Sequence, residues 1–293
     1  MKNKFLTVVG ATGYLSVHII RRLVEQGVNV KAVVRNLEKA KELLPESVEL
    51  VYGDVEDPQS LDKAFEGSQA LYIHLNTETL DTTLPFYQER EGVKNIVEAA
   101  KKNGVTQILQ IAGIEQLRKD FSVKGEYLQT SLIRDEGMKY VRESGIPFTF
   151  FHCSFFIDSF PLWIQDDVFS VLGEVDQYPL WYINTTDYAD TIYAAIDNPV
   201  AHNKQYSVQG KEGIDFKSAA QRFMTVFNPE GKVAQYPIAA VDMMGLPDDA
   251  AAFMKHVCSF VEQLKEEFIS EDTWEQLSTP KLTIEEFATT CMS

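Results

Sequence analysis

The residues of this sequence best able to do chemistry stand where apolar runs end. Gly10-Ala11-Thr12-Gly13-Tyr14-Leu15-Ser16 puts two glycines at the point where a short apolar run gives way to a helical pattern. Backbone without a Cβ lets a diphosphate approach the unpaired N–H groups that open a helix. Gly10, Thr12, Gly13, Tyr14 and Leu15 are therefore read as dinucleotide-binding residues, with Ser16 small enough to pack helix against strand. A lone GxxG is weak; position strengthens this one, because it follows the first strand and opens a βαβ unit of ~30 residues.

A second chemical signal is Val33-Val34-Arg35-Asn36 at the end of the second apolar run. A site selective for NAD carries a carboxylate there for the ribose 2′-hydroxyl, whereas a guanidinium suits a 2′-phosphate. NADP (NADPH) is the expected cofactor on that ground, the alternative being that Arg35 is a solvated surface residue. Asp54 and Val55 follow the third run, where a carboxylate can take the adenine amino group, although Gly53-Asp54 also reads as a plain turn.

These residues need a scaffold that aligns strand ends, and the pattern supplies one. Apolar runs at Phe5 to Val9, Val28 to Val34, Val48 to Tyr52, Ala70 to Leu75, Gln107 to Ile111 and Pro147 to His152 predict strands. Between them, segments at Tyr14 to Gln26, Leu37 to Leu44, Ser60 to Phe65, Phe86 to Asn103 and Ser131 to Ser144 predict helices. Such alternation implies an α/β fold, a doubly wound parallel sheet of Rossmann type. A helix at Thr186 to Ile196 and a strand at Gln205 to Val208 return to it. Residues 1–155, with these returns near 182–210, are read as the dinucleotide-binding domain. Residues 156–181 and 211–293 are read as a smaller, mostly helical domain that caps it, with helices at Asp248 to Phe268 and Ile284 to Thr289.

Composition narrows the function classes. A formal charge of −16 over 293 residues repels phosphate backbone and argues against nucleic acid as a partner. Three cysteines at wide spacing, Cys153, Cys258 and Cys291, offer neither a disulfide framework nor a metal site. The opening Met1-Lys2-Asn3-Lys4 runs straight into a short strand, unlike a secretory leader, and no apolar stretch of ~18 residues is present to span a bilayer. A cytoplasmic protein is expected.

The segments VVGATGYLSVHIIRRLVEQG, VVRN, GDVEDPQSL and RESGIPFTF resemble the NmrA-like branch of the atypical short-chain dehydrogenase/reductases. Asn184 to Asp190 and Pro280 to Phe287 extend the resemblance over nearly the whole chain. It implies an NADPH-dependent reductase of a small quinone-like or aromatic carbonyl substrate, or else a non-catalytic NADP-binding redox sensor with a protein partner. The YxxxK pair of the reductases is missing: Ser131 follows Tyr127 by four residues, and Arg134 stands where relatives place a Lys or His. Arg stays protonated and cannot donate a proton near neutrality, although it can hold a ribose hydroxyl or a carboxylate.

Where relatives end the fifth strand in a Ser, this chain has Ala112-Gly113. His74 and His152, at the ends of the fourth and sixth strands, join Arg134 as candidates for catalysis; a lone His at a strand end otherwise serves as a hydrogen-bonded structural residue. His74, Leu75, Ala112, Arg134 and Cys153 complete the set expected along the cofactor. Phe155, Phe156, Phe160 and Trp163 form an aromatic stretch that either lines a substrate pocket or fills a core.

Overall fold

A computed structural model describes residues 4–292; Met1, Lys2 and Asn3, which open the stretch compared with a leader, lie outside it. Strands β1 (Phe5–Val9), β2 (Asn29–Val34) and β3 (Glu49–Tyr52) alternate with helices α1 (Tyr14–Glu25), α2 (Leu37–Leu43) and α3 (Pro58–Ala64). Then come β4 (Ala70–Ile73), a π turn at Gln88–Gly92 that runs into α4 (Val93–Lys102), β5 (Gln107–Gly113), α5 (Ile114–Leu117), α6 (Gln129–Arg142) and β6 (Phe148–Cys153). After an excursion containing β7 (Ile164–Gln165) and β8 (Val168–Leu172), the chain returns through α7 (Thr185–Ala195) to β9 (Lys204–Val208).

These strands make a seven-stranded parallel sheet in the order β3-β2-β1-β4-β5-β6-β9. Val, Ile and Leu on both strand faces explain its burial, because parallel strands flanked by helices must be apolar on each side. One core, with Ile19, Ile20, Leu23 and Tyr188, fills the α1/α7 face, and another, with Leu61, Ile96 and Met138, fills the α3/α4/α6 face. Strand order reverses between β1 and β4, and the carboxyl ends of strands at such a switch point are where ligands bind in this architecture.

The rest of the chain forms α8 (Phe216–Phe227), β10 (Lys232–Tyr236), α9 (Asp248–Val261), α10 (Glu271–Gln276) and α11 (Ile284–Thr290). Its core is aromatic: Phe160 lies edge-to-face on Phe169, Tyr182 and Phe223, with ring centroids 5.1 to 5.6 Å apart. This mostly helical carboxyl-terminal region also pairs with the excursion in a three-stranded sheet, β10-β8-β7, which the sequence pattern does not show. β7 has two residues, and β8 and β10 pair across some sixty positions, so each is too short to carry its own period. The helix expected over Asp248 to Phe268 ends at Val261, after which the chain turns and becomes an irregular connection.

Candidate functional site

A cleft of about 630 Å³ opens at the switch point, between the carboxyl ends of β1, β2, β3 and β4. Its floor is the turn from Gly10 to Gly13. Gly10 has φ +85°, and a Cβ there would lie 2.0 Å from the carbonyl oxygen of His74, so both conformation and space demand glycine. Gly13 holds the N-cap position of α1 with no side-chain hydrogen bond to the first turn. Asn36, Asp57, Asn184, Asp215 and Thr283 cap α2, α3, α7, α8 and α11 with their own side chains, whereas α4, α6, α9 and α10 also start without such a cap. A 12-residue helix that starts without such a cap, over a glycine turn and beside a cleft, fits a diphosphate. Ser16 is fully buried where the helix meets the sheet.

At the other end of this cleft Arg35, Lys39, Gly53, Asp54 and Val55 line the wall. Arg35 and Lys39 are exposed, one helical turn apart at the start of α2, and neither enters an ion pair among the described residues. No carboxylate stands at the end of β2. Gly53 lets β3 close on β2, since a Cβ there would meet the Val33 side chain at 2.5 Å. Asp54 accepts from Glu56 N–H at 3.0 Å, which fixes the turn that carries Val55.

The cleft continues over His74, Leu75 and Asn76 into a second hollow of about 390 Å³. Tyr14, Leu15, Ala112, Gly113, Arg134, Cys153, Ser154 and Phe156 also line it. Arg134 is held by Glu89 at 2.5 Å and by the Gln116 side chain at 3.2 Å. Glu89 lies on the π turn, and α6 comes close enough to it that a Cβ on Gly137 would sit 1.9 Å from the Glu89 carbonyl oxygen. That contact explains a glycine inside a helix, which otherwise costs about 1 kcal/mol.

The two histidines part company here. His74 lines the cleft, with Nδ1 3.0 Å from the Tyr72 hydroxyl, which itself donates to Tyr188. Burial, with the nearby charge of Arg134, lowers its pKa to about 3, so at neutral pH it is an uncharged ring and not an acid. His152 is not in the lining of either hollow. Its Nδ1 donates to the Gly113 carbonyl at 3.0 Å and its Nε2 lies 3.1 Å from Gln205, so the ring braces β5, β6 and β9 together. Burial pushes the Cys153 thiol up, which keeps it protonated and unreactive.

The aromatic stretch divides in the same way. Phe156 alone of the four reaches the second hollow. Phe160 is wholly buried in the cap core, while Phe155 and Trp163 face a separate apolar hollow of about 30 Å³ under α9, near the size of a water molecule. Sequence reasoning missed Lys39, Glu78 and Ser154 in the walls and Glu89 behind Arg134. Lys39 was open to detection, since it stands one turn beyond Arg35. Glu89 comes from a distant segment and carries no local signal. Among the described residues no group of three or more His, Cys, Asp or Glu is placed to hold a metal ion, and no helix is long and apolar enough to cross a membrane.

A parallel sheet of this order with a glycine turn at its switch point has the architecture of a Rossmann-type dinucleotide-binding fold. The chain belongs to the NAD(P)H-binding family, whose model matches residues 10–199. It is 24% identical over 265 residues to an NAD(P)H azoreductase of Xenophilus azovorans, covering 86% of this chain and 85% of that one. It is 23% identical over 252 residues to the photosystem II assembly factor Ycf39 of Cyanophora paradoxa, covering 81% of this chain and 73% of that one. Among solved structures, an NADPH-dependent quinone oxidoreductase from Escherichia coli, complexed with NADPH, has a TM-score of 0.76 at 20% identity, covering 98% of this chain and all of that one.

Proposed function

We propose that the chain is an NADPH-dependent reductase of a small, flat, conjugated acceptor, quinone-like or an aromatic carbonyl. The observation that carries this reading is the continuity of the two hollows: the phosphate turn lies between a wall bearing Arg35 and Lys39 and a second space large enough for an acceptor. A guanidinium and an ammonium at the end of β2, with no carboxylate, favour a 2′-phosphate over a 2′-hydroxyl. Bound NADPH supplies a hydride. Gly10 and the open first turn of α1 hold the diphosphate, Arg134 faces the ribose and substrate region as a fixed cation, and Phe156 offers a ring face to a flat acceptor. The azoreductase and quinone oxidoreductase relatives act, by their names, on acceptors of this shape.

The second reading, an NADP sensor without turnover, is favoured by the missing YxxxK pair and by the assembly-factor relative. Purified protein mixed with NADPH and a panel of quinones and aromatic aldehydes separates the two. Loss of the reduced-nicotinamide absorbance, faster with NADPH than with NADH, is the expected result. Tight NADPH binding with no oxidation by any acceptor overturns the reductase reading in favour of the sensor.

A further inference from the structure

A reductase of this class needs a proton for the oxygen it reduces, and the usual donors are absent: no YxxxK pair exists, His74 is an uncharged ring, and Arg134 is a fixed cation. Behind the wall of the second hollow lies a buried carboxyl group. Glu266, on the connection between α9 and α10, is 2% exposed. The groups that face it are the Ser154 hydroxyl at the end of β6, the Trp181 N–H, and the Gln209 side chain beyond β9, with the buried Tyr182 phenol and the charge of Glu115 on α5 acting on it through space. Among the described residues it has no ion pair.

The hydrogen bonds fix where a proton on Glu266 can sit. Oε2 accepts from Trp181 N–H at 3.2 Å and from Gln209 Nε2 at 3.1 Å. The Gln209 amide cannot turn round without loss, because its oxygen accepts from Ile269 N–H at 2.8 Å and from Ser270 Oγ at 3.1 Å. Oε2 therefore faces donors only, and an acid proton has its place on Oε1, 2.8 Å from Ser154 Oγ. Once Ser154 Oγ accepts that proton's hydrogen bond, its own hydrogen is free to turn away from Glu266, and Ser154 lines the hollow beside Cys153 and Phe156.

We propose that Ser154 is the hydroxyl that gives its proton to the substrate oxygen, and that Glu266 is the proton store behind it. The inference rests on the reductase reading. Hydride adds to the substrate and the electron pair of the broken π bond moves to its oxygen. That oxygen takes the Ser154 proton as Ser154 Oγ takes the one on Glu266 Oε1. The carboxylate left behind keeps three donors, from Ser154, Trp181 and Gln209. After the reduced product and NADP⁺ leave, water entering the open cleft returns a proton to Glu266 through Ser154. Burial raises the Glu266 pKa to about 7, so the store is partly filled at neutral pH.

Glu266→Gln and Ser154→Ala test this with two acceptors: a quinone, which needs hydride and proton, and a cationic triarylmethane dye, which takes hydride at carbon and needs no proton. The amide in Glu266→Gln keeps all three hydrogen bonds and so should fold. Each variant is expected to lower the ratio of quinone to dye turnover by about a hundredfold, with kcat rather than KM carrying the change. In the wild type, quinone kcat should fall as pH rises through about 7, and Glu266→Gln should abolish that limb. An unchanged ratio in both variants overturns the proposal. Infrared spectroscopy of the protein without cofactor gives a separate readout: a protonated-carboxyl C=O band that titrates near pH 7, is lost in Glu266→Gln and shifts in Ser154→Ala. A protein that reduces neither acceptor fails the reductase reading alone. An infrared band that is absent, or indifferent to Ser154→Ala, overturns the carboxyl–hydroxyl coupling whatever the turnover.

Discussion

The half of the cleft proposed for phosphate and adenosine and the half proposed for nicotinamide are built in opposite ways. The first comes from three strand ends and their turns within the first 55 residues, and its key atoms are backbone N–H groups with two surface cations. The second draws Tyr14, Ala112, Arg134, Ser154 and Phe156 from well-separated segments, and behind it stand Glu89, Glu115 and Glu266, all buried. A local half tolerates drift in the rest of the chain, because its geometry is set by two consecutive βαβ units. The assembled half is tied through side-chain networks to the whole cap, which makes it the place where activity within the family can diverge while the cofactor end stays the same.

The largest effect predicted is at the local half. Gly10→Val forces a β-branched side chain into a left-handed backbone and onto the His74 carbonyl, where the added Cβ would have 2.0 Å. The expected loss is about 2 to 5 kcal/mol of stability from the strained backbone and overpacking together, with NADPH binding lost. Calorimetric titration beside thermal melting checks both. A variant that still binds NADPH with wild-type affinity would show that the turn is not the phosphate site.

The same contrast explains what could be read in the sequence. The glycine turn and Arg35 were legible because contact there follows chain neighbourhood, so strand, turn and helix periods place each residue. The alternation of strands and helices was legible for the same reason, down to the return at α7 and β9. His152 misled, since a strand end looks the same whether the ring faces the cleft or, as here, bonds to Gly113 and Gln205. Phe160 misled because an aromatic run without a period reads equally as pocket or core, and only packing against Phe169 and Phe223 decides. Glu89 and Glu266 meet the site from 45 and 112 residues away from Arg134 and Ser154, a relation no local pattern encodes.

The assembled half should also betray itself in the pH dependence of stability. Burial raises the Glu266 pKa from 4.5 to about 7, so the folded state holds this proton more tightly than the unfolded chain does. Its stabilising share is then full below pH 4.5 and is lost as pH rises toward 7, by about 3 kcal/mol in order of magnitude. Asp158, raised to about 6 by burial, slopes the same way, whereas Glu285, lowered to about 2 by Arg222, acts in the opposite sense at lower pH. The difference between wild type and Glu266→Gln in urea unfolding, measured across that window, isolates the one group. A constant difference would mean that Glu266 is ionised in the native protein throughout.

Returning to the local half, Arg35→Asp should act on cofactor choice without touching the fold, because Arg35 is exposed and outside every ion pair among the described residues. A charge-assisted contact is worth about 1.5 to 3 kcal/mol, a preference for NADPH over NADH of about tenfold to a hundredfold. The carboxylate should reverse it, repelling a 2′-phosphate and accepting from a 2′-hydroxyl. Equal binding of NADH and NADPH by the wild type, or an unchanged ratio in the variant, would make Arg35 a surface residue.

The smallest effect sharpens the comparison most, because it asks whether the adenosine end is a point contact or a basic field. Lys39 stands one turn along α2 from Arg35, on the same wall and equally exposed, with Asn36 between them capping the helix through Lys39 N–H at 3.0 Å. An exposed ammonium near a phosphate contributes about 0.2 to 1 kcal/mol, so Lys39→Ala should weaken NADPH by up to about fivefold and leave NADH unchanged. The loss should shrink as salt is raised, since the charge is open to solvent and screened over about 10 Å at 0.1 M. If the substitution weakens both cofactors equally and the effect does not respond to salt, Lys39 acts through the position of α2, and selectivity at this end rests on Arg35 alone.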